Sequence, residues 1–433
     1  MNRFTRRKFS GFLGTALAVS PLSVPDITGA APRPIRPKVV IIGGGAGGAS
    51  AAHYLANDAN GLIEVTLIEP EKCYYSGFVS NYFLGGLRNH DIIGFDFRRF
   101  VSGTGINLVR DWAANVDRNR QTVKLASGTS IAYDRLIISP GIDIKFDSIE
   151  GYSIDAQTRM PHGLKSAKQI QIIKRQITNM PKGGTFVMVP SSDPHNSSIA
   201  PLERISMIAH YFTKHNPAAK IIVLDTADEC PELNLFRDTW DRSYSGMIDW
   251  IPRETHGGIV RLNPETLEIE TELGTFKADA TLINPALKAG TIASLAELTL
   301  NDWVPIKPSS MMSLADSNIY VVGDASYASS MPKTAYSAVS QAKVAANAIC
   351  GELIGADIPK TKFTSICWGR ASKNNVVKLE SSFRAGHTKI ELIRQSVSQQ
   401  EESANTDKVT FDEAQRWHRR FAADFFNSGS AIV

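Results

Sequence analysis

The feature that most constrains the fold is a glycine cluster between an apolar run and a helical pattern. Residues 38–58 read KVVIIGGGAGGASAAHYLAND, and a second apolar run, EVTLIEP, ends near Glu69. Gly43, Gly45 and Gly48 have the spacing G-x-G-x-x-G, and Glu69 lies 21 residues beyond Gly48. Strand, glycines, helix, second strand and acidic residue in this order predict a βαβ unit that binds a dinucleotide.

Each of these residues has a predicted task. Gly43 allows the tight turn, Gly45 lets a pyrophosphate approach the backbone, and Gly48 lets the helix pack closely on the strand. The phosphates are expected at the helix N-terminus, where unpaired N–H groups and the helix dipole favour negative charge. Glu69 is expected to accept hydrogen bonds from the adenosine ribose.

Two later segments indicate which dinucleotide is bound. Residues 133–142, YDRLIISPGI, predict a strand that runs into a Pro-Gly turn, and residues 317–349 predict a strand, a Gly-Asp turn and a long helix. In flavoproteins with two dinucleotide-type domains this turn brings an aspartate, here Asp324, to the ribityl chain of FAD. The helix start near Pro332 and Thr334 would then point at the pyrimidine end of the flavin. We therefore predict FAD, although a buried strand with a capping aspartate would give a similar local pattern.

The segment 183–225 repeats the pattern strand, helix, strand and predicts a second doubly wound domain. Its turn, PSSDPHNSS, contains no glycine. Side chains and prolines would block the close approach of a pyrophosphate, and Asp193 would repel it. We predict that this domain holds no functional NAD(P)H site.

The first 31 residues resemble an export signal. Their basic start contains TRRKF, a twin-arginine pattern, and the apolar run that follows is broken by Pro21 and is too short to span a bilayer. The alternative is a basic tail without a targeting role. Twin-arginine export carries folded proteins, so we predict a cofactor protein that works in the periplasm.

Charge and cysteine content exclude several classes of protein. The net charge is +4, but the first 30 residues hold four basic side chains and one acid, which leaves +1 for the rest. A nearly neutral protein has no electrostatic footprint for nucleic acid. The chain has four cysteines and neither a CxxC nor a CxxCH motif, so haem, a zinc ribbon and an adjacent-cysteine redox pair are not expected. The cysteines are Cys73, Cys230, Cys350 and Cys367.

The composition changes after residue 350. Residues 351–377 predict a connector and strands, residues 394–408 a polar loop, and residues 411–426 an amphipathic helix. Trp417, Phe421 and Phe425 share one face of that helix, which we interpret as a packed closing element rather than a membrane anchor.

The predicted fold class is α/β, with two doubly wound dinucleotide-binding-type domains like those of FAD/NAD-linked reductases, and a C-terminal α+β domain. The predicted ranges are 1–31 for the signal peptide, 37–150 and 286–350 for the two parts of the FAD-binding domain, 151–285 for the second Rossmann-like domain, and 351–433 for the C-terminal domain.

From about Lys38 onward the chain resembles the flavoprotein subunit of flavocytochrome c sulfide dehydrogenase. The likeness is carried by YYSGFVSN, YDRLIISPGI, IEGYS, PLERIS and MPKTAYSAVSQAKVAA, and the last of these is fairly specific to this group. The resemblance implies a periplasmic enzyme that oxidises sulfide at FAD and passes electrons to a separate c-type cytochrome subunit. It also implies that the C-terminal domain completes the flavin pocket and the cytochrome interface, with no nucleic-acid partner and no transmembrane segment in the mature chain.

Two departures from the family pattern affect the predicted chemistry. Members of the family commonly attach the flavin to a cysteine at the position of Gly77, so FAD is predicted to bind non-covalently here, with Cys73 a bystander. The family's redox disulfide joins a cysteine shortly before P-x-E-R to one at the position of Cys367. The first of these falls on residues 196–198, nearest Ser197, so Cys367 lacks its partner.

The role of the site residues therefore stays open at this point. A single Cys367 can hold a persulfide or contact the flavin if its pKa is lowered, or it can be a buried cysteine without a task. Lys333, in MPKTAYS, is predicted to stabilise the charge of the reduced flavin, or else is an ordinary solubilising lysine. Three functions follow: an oxidoreductase acting on sulfide or another reduced donor, a non-catalytic flavin-carrying redox partner, and, least favoured, an NAD(P)H:acceptor reductase.

Overall fold

A computed structural model describes residues 36–89, 94–191, 199–398 and 404–426. The predicted signal peptide, Asp193 and Ser197 lie outside these ranges. The elements before residue 151 are β1 Lys38–Ile42, α1 Ala46–Asp58, β2 Glu64–Ile68, β3 Cys73–Tyr75, α2 Ser80–Leu84, β4 Gly94–Asp96, α3 Phe97–Val101, β5 Asn107–Val109, β6 Ala113–Asp117, β7 Thr122–Leu125, β8 Ser130–Ala132, β9 Arg135–Ile138 and β10 Ile142–Ile144.

The middle and C-terminal parts continue the series. Residues 151–285 contain α4 Ala167–Asn179, β11 Thr185–Val189, α5 Ile199–His215, β12 Lys220–Leu224, α6 Leu233–Ser243, β13 Ile248–Ile251, α7 Arg253–His256, β14 Ile259–Asn263, β15 Glu268–Thr271, β16 Gly274–Lys277 and β17 Ala280–Ile283. The later elements are β18 Leu287–Ala289, α8 Thr291–Leu295, β19 Val304–Lys307, β20 Met312–Ser313, β21 Ile319–Val321, β22 Ser326–Tyr327, α9 Ala335–Ile354, β23 Lys362–Arg370, β24 Val376–Ala385, β25 Ile390–Val397 and α10 Ala404–Phe426.

The largest sheet contains the predicted dinucleotide unit. Its parallel strands lie in the order β5-β2-β1-β9-β21, and β20, β19 and β22 extend it beyond β21. Four of the five residues of β1 and three of the four of β9 are buried, as expected for parallel strands covered on both faces. The chain goes from β1 to β2 on one side and later to β9 on the other. The strand order therefore reverses between β1 and β9, and ligands of such sheets bind at this point, beyond the carboxyl ends of the strands.

The second doubly wound domain has a four-stranded parallel sheet in the order β13-β12-β11-β17. Helices α4 and α5 pack their buried isoleucine and leucine side chains in the same apolar core as Phe186 of β11 and Ile221 of β12. The predicted α/β fold class is confirmed, because two parallel sheets with crossover helices are followed by an antiparallel sheet and a helix.

The C-terminal part differs from the prediction in one respect. The antiparallel sheet β23-β24-β25 ends with β25 at Val397, and α10 already begins at Ala404, so much of the segment predicted as a polar loop is regular structure. Most of β25 is exposed, since it is an edge strand. An exposed strand needs no apolar residues, and hydrophobic periodicity therefore cannot detect it. Over the described ranges, no helix combines the length and the hydropathy needed to cross a membrane.

Candidate active site

The three fingerprint glycines lie in the turn between β1 and α1. Gly43 has a φ of +93°, and a Cβ there would lie 2.3 Å from the carbonyl oxygen of Ser139. A Cβ at Gly48 would lie 1.8 Å from the carbonyl oxygen of Gly43. At Gly45, by contrast, no described atom would lie within 4 Å of a Cβ. The fold itself thus requires Gly43 and Gly48, whereas the space at Gly45 is open to a ligand.

Glu69 closes the other side of this turn. Its carboxylate accepts a hydrogen bond from Gly44 N–H at 2.6 Å through Oε2 and from Glu71 N–H at 2.8 Å through Oε1. Burial raises the pKa of Glu69, and these two backbone hydrogen bonds act in the opposite direction. A carboxylate has further acceptor positions beyond these two bonds. The glycine turn, the helix N-terminus and Glu69 therefore fit the adenosine diphosphate part of FAD.

The predicted Gly-Asp turn meets the glycine turn at the reversal of strand order. Because β21 pairs with β9, a Cβ at Gly47 would lie only 3.5 Å from the backbone nitrogen of Gly323. Gly323 N–H donates to Oε1 of Gln341 on α9 at 2.7 Å, which fixes the turn to the helix. Asp324 follows directly, so the fold brings two segments, 280 residues apart in sequence, to one site.

The start of α9 lies beside the Gly-Asp turn. Thr334 caps the helix by accepting a hydrogen bond from Ser337 N–H at 3.0 Å, which confirms the predicted helix start. Lys333 Nζ donates to the carbonyl oxygens of Asp324 at 2.8 Å and Ser326 at 3.1 Å, and it lies 3.6 Å from the centre of the Trp303 ring. The lysine therefore holds the turn against α9. Its effect on a reduced flavin stays a prediction.

Cys367 lies on β23, on the face that the strand turns toward both dinucleotide-type domains. Side chains two residues apart share a face of a strand. Ser365 Oγ lies 3.2 Å from Thr334 Oγ1 at the start of α9, and a Cβ at Gly369 would lie 2.1 Å from Ile199, the first residue of α5. Cys367, between them in sequence, is partly buried at the junction of α9 and α5. None of the four cysteines forms a disulfide.

A buried polar network, which the sequence did not reveal, joins three parts of the chain next to Cys367. Glu203 of α5 accepts hydrogen bonds from Asn81 Nδ2 at 2.7 Å and from Arg370 N–H at 3.2 Å. Arg204 donates to Asn81 Oδ1 at 2.9 Å and to the carbonyl oxygen of Gly163 at 3.1 Å. Burial raises the pKa of Glu203 and lowers the pKa of Arg204 to about 10. The only sequence signal was the charged pair inside the apolar helix PLERIS.

Helix α10 covers this region with aromatic side chains. Trp417 stacks on Tyr336 of α9 with ring centres 5.4 Å apart, and lies 5.6 Å from the ring of Trp368 and 5.4 Å from that of Phe421. The ring centre of Phe421 in turn lies 6.3 Å from that of Tyr74 on β3. The C-terminal helix is thus packed onto the first dinucleotide-type domain through Trp417 and Phe421, two of the three residues of the predicted face, while the side chain of the third, Phe425, lies outside the described residues.

In the sequence, Cys73 comes directly before Tyr74, and Gly77 comes three residues after it. Cys73 pairs with Asp96 where β3 and β4 run antiparallel, and burial together with Asp96 raises the pKa of its thiol. At Gly77 no described atom would lie within 4 Å of a Cβ. The position that the resemblance associates with flavin attachment is therefore open space, and non-covalent binding stays a prediction.

The second doubly wound domain has an acid in the position equivalent to Glu69. Asp225 follows β12, but its carboxylate accepts a hydrogen bond from Trp250 Nε1 at 2.8 Å and a longer one from Ala227 N–H at 3.2 Å. The indole of Trp250 on β13 thus uses an oxygen of the acid that would otherwise be offered to a nucleotide ribose. This contact favours the prediction of no NAD(P)H site, whose glycine-free turn lies mostly outside the described ranges.

Comparisons with known proteins agree with this arrangement. Residues 37–181 match the family described as pyridine nucleotide-disulphide oxidoreductase, and residues 170–285 match the family described as sulfide dehydrogenase [flavocytochrome c] flavoprotein chain, central. A structure of the sulfide:quinone oxidoreductase from Aquifex aeolicus has a TM-score of 0.66 at 17% identity, covering 91% of this chain and 93% of the other. The fold is that of FAD-dependent reductases. The prediction of FAD is confirmed, since the matched family is a flavoprotein chain and the residues present fit the cofactor.

Two curated relatives carry names similar to that of this structure. The mitochondrial sulfide:quinone oxidoreductase of Dictyostelium discoideum is 28% identical over 114 residues, which cover 26% of this chain and 25% of the relative. The sulfide-quinone reductase of Aquifex aeolicus (strain VF5) is 30% identical over 137 residues, or 31% of each chain. These matches span only a quarter to a third of the relatives. The chain is thus related to flavoprotein sulfide dehydrogenases and sulfide:quinone oxidoreductases, whereas its departures at Gly77 and Ser197 stay predictions.

Proposed function

We propose that this protein is a periplasmic FAD-dependent oxidoreductase that takes electrons from sulfide or another reduced sulfur donor and passes them to a c-type cytochrome. One observation carries the proposal. The strand with Cys367 is hydrogen-bonded through Ser365 to Thr334, at the helix start where the flavin ring is expected. Cys367 is two residues further along that strand, or about 6–7 Å. A thiol is therefore held beside the predicted flavin ring.

The side chains at the site have separate tasks in this proposal. Bound FAD supplies the capacity to accept an electron pair from a donor and release single electrons to an acceptor. Cys367 would face the donor sulfur beside the flavin, and the N-terminus of α9 would provide partial positive charge where negative charge develops. Lys333 keeps Asp324 and its turn in register with that helix end.

The choice of acceptor rests on the family matched over residues 170–285, whose printed description names a flavocytochrome c. The curated relatives named above are instead quinone reductases by name. A haem would be on another chain, because this one has no CxxCH motif. The open space at Gly77 is consistent with FAD bound without a covalent link.

The decisive experiment is an anaerobic titration of the purified holoprotein with sulfide, a thiol and NADH, while the flavin absorbance is recorded. We expect sulfide to remove the absorbance rapidly and NADH to leave it unchanged. Cys367→Ser is expected to lose most of the sulfide response, and Cys73→Ser, the matched control, to keep it. Reduction by NADH would contradict the proposal. A flavin that responds to no sulfur donor would favour a non-catalytic redox partner.

The acceptor and the compartment need separate tests. Sulfide-reduced protein is expected to reduce a soluble c-type cytochrome faster than a short-chain quinone, and the opposite order would contradict the proposed acceptor. For localisation, the double variant Arg6→Lys/Arg7→Lys is expected to remain in the cytoplasm while the unchanged chain is exported. Export of both forms to the same extent would contradict twin-arginine targeting.

A further inference from the structure

A second cavity, separate from the nucleotide site, lies along the outer face of α9. Its volume is about 640 Å³, and we refer to it as the α9 groove. Its floor is formed by Tyr336, Val339, Lys343 and Asn347, which follow one another at helical spacing along α9. The connector 358–362 and helix α10 form its walls, and Tyr54 of α1 completes the lining.

The α9 groove and the predicted flavin site use different faces of the helix. Ser337, Ala338 and Gln341 face the Gly-Asp turn, and Gln341 bonds directly to the backbone of Gly323. Those three residues do not line the groove, and the groove residues do not line the flavin side. A ligand in the groove would therefore leave the flavin contacts intact.

The charged residues that line the α9 groove are all basic. It contains Lys343, Lys360, Lys362 and Arg420, and no aspartate or glutamate is among its described lining residues. Lys343 is bonded to Asp58 at 2.6 Å, but Lys360 and Lys362 are exposed. Such a one-sided set of charges attracts an anion and disfavours a cation.

Aromatic rings supply a further part of the lining. Tyr336 and Trp417 stack on each other with an angle of 22° between their planes. Lys343 Nζ lies over the ring of Tyr54, 4.5 Å from its centre. A volume of a few hundred Å³ with aromatic walls and a few charged groups is typical of sites for small molecules. Because Trp417 also stacks on Phe421, these rings offer a ligand their edges as well as any remaining face, and edge-to-face contact and apolar burial of a flat ligand then add to the ionic contacts.

We propose that the α9 groove binds a planar aromatic anion, a small molecule whose ring system carries a carboxylate, sulfonate or phosphate group. The rings of Tyr336, Trp417 and Tyr54 contact the flat body of the ligand. Lys360 and Lys362 contact its anionic group. The proposal does not depend on the redox function, since no residue assigned to the flavin or the sulfur donor lines the groove.

The test uses the FAD-loaded full chain and naphthalene-2-sulfonate as the probe, with binding measured by titration calorimetry. The cationic analogue naphthalen-2-ylmethylammonium has the same ring and the opposite charge. Lys360→Glu/Lys362→Glu reverses the charge of the groove. The control Lys124→Glu/Lys277→Glu reverses two exposed lysines on β7 and β16, outside the groove. Asn347→Trp fills the floor without a change of charge.

We expect the sulfonate to bind at one site and to weaken as salt is added, without a change in the flavin spectrum. The groove double variant is expected to bind roughly tenfold more weakly or worse, the control double variant to bind as the unchanged chain does, and Asn347→Trp to lose binding. Equal affinity of the cationic analogue would overturn the proposal. Unimpaired binding by either groove variant, or a spectrum that shifts with the sulfonate, would place the ligand elsewhere and also overturn it.

Discussion

Two alanine substitutions in the same glycine turn should have opposite consequences. A Cβ at Gly48 would lie 1.8 Å from the carbonyl oxygen of Gly43, where ordinary contact begins at about 3.4 Å. Strand and helix would have to separate locally to relieve the overlap. We expect Gly48→Ala to lower the free energy of unfolding of the flavin-free protein by about 3 kcal/mol or more.

Gly45→Ala should spare the fold and impair the cofactor site. Gly45 has φ −64° and ψ −173°, which alanine adopts without strain, and its Cβ would meet no described atom within 4 Å. As the N-cap residue of α1 it should cost only about 0.5–1 kcal/mol on replacement. The methyl group would instead keep the pyrophosphate away from the helix amides. Losing one charge-assisted hydrogen bond costs ~1.5–3 kcal/mol of binding free energy, so FAD affinity should fall about 10–100-fold.

Both quantities are measurable on the same preparations. Urea unfolding of the flavin-free proteins gives the stability, and fluorescence titration with FAD gives the affinity. If Gly45→Ala were as destabilising as Gly48→Ala, the second glycine would serve packing and not the cofactor. If Gly45→Ala bound FAD as tightly as the unchanged protein, the diphosphate would not lie against this turn, and the reasoning would fail.

Three further predictions concern other parts of the site. Burial lowers the pKa of His418 to about 3, so the neutral ring stabilises the fold above about pH 6.5 and this stability is lost as pH falls. At pH ~4.5 the free energy of unfolding should be lower by ~2–3 kcal/mol. His418→Gln should flatten this part of the curve of urea stability against pH, whereas His387→Gln, an exposed control, should not. Glu203→Gln should lower the free energy of unfolding by ~3 kcal/mol, because an amide cannot accept from both Asn81 and Arg370 through two oxygens; an unchanged urea midpoint would contradict the network. The side chain of Gly77→Cys should fit into open space, and this variant should retain its yellow colour after acid precipitation. The unchanged protein should release its flavin in the same treatment. Colour in the pellet of the unchanged protein would refute non-covalent binding.

The nucleotide site was predictable because its signal is local. Gly43, Gly45, Gly48 and Glu69 lie within one βαβ unit, and each position is required by backbone geometry or by a charge at a strand end. The helix that begins after Thr334 was predictable for the same reason, since capping depends on neighbours in sequence. The edge strand β25 was missed because most of it is exposed, and an exposed strand carries no hydrophobic period.

The amino-acid sequence by itself determined the two dinucleotide-type domains, the cofactor and the helix that starts beside it, because each depends on residues close together along the chain. Only the tertiary structure decided that Glu203 bonds to Asn81 and Arg370, that Trp250 bonds to the acid of the second domain, and that Lys333 holds the Asp324 turn. The Glu203 contacts join residues 122 and 167 positions apart, the Trp250 contact spans 25 positions, and the Lys333 contact spans 9. Their partners are selected by strand order and helix packing, and a polar side chain gives no sign in sequence of which distant group will satisfy it.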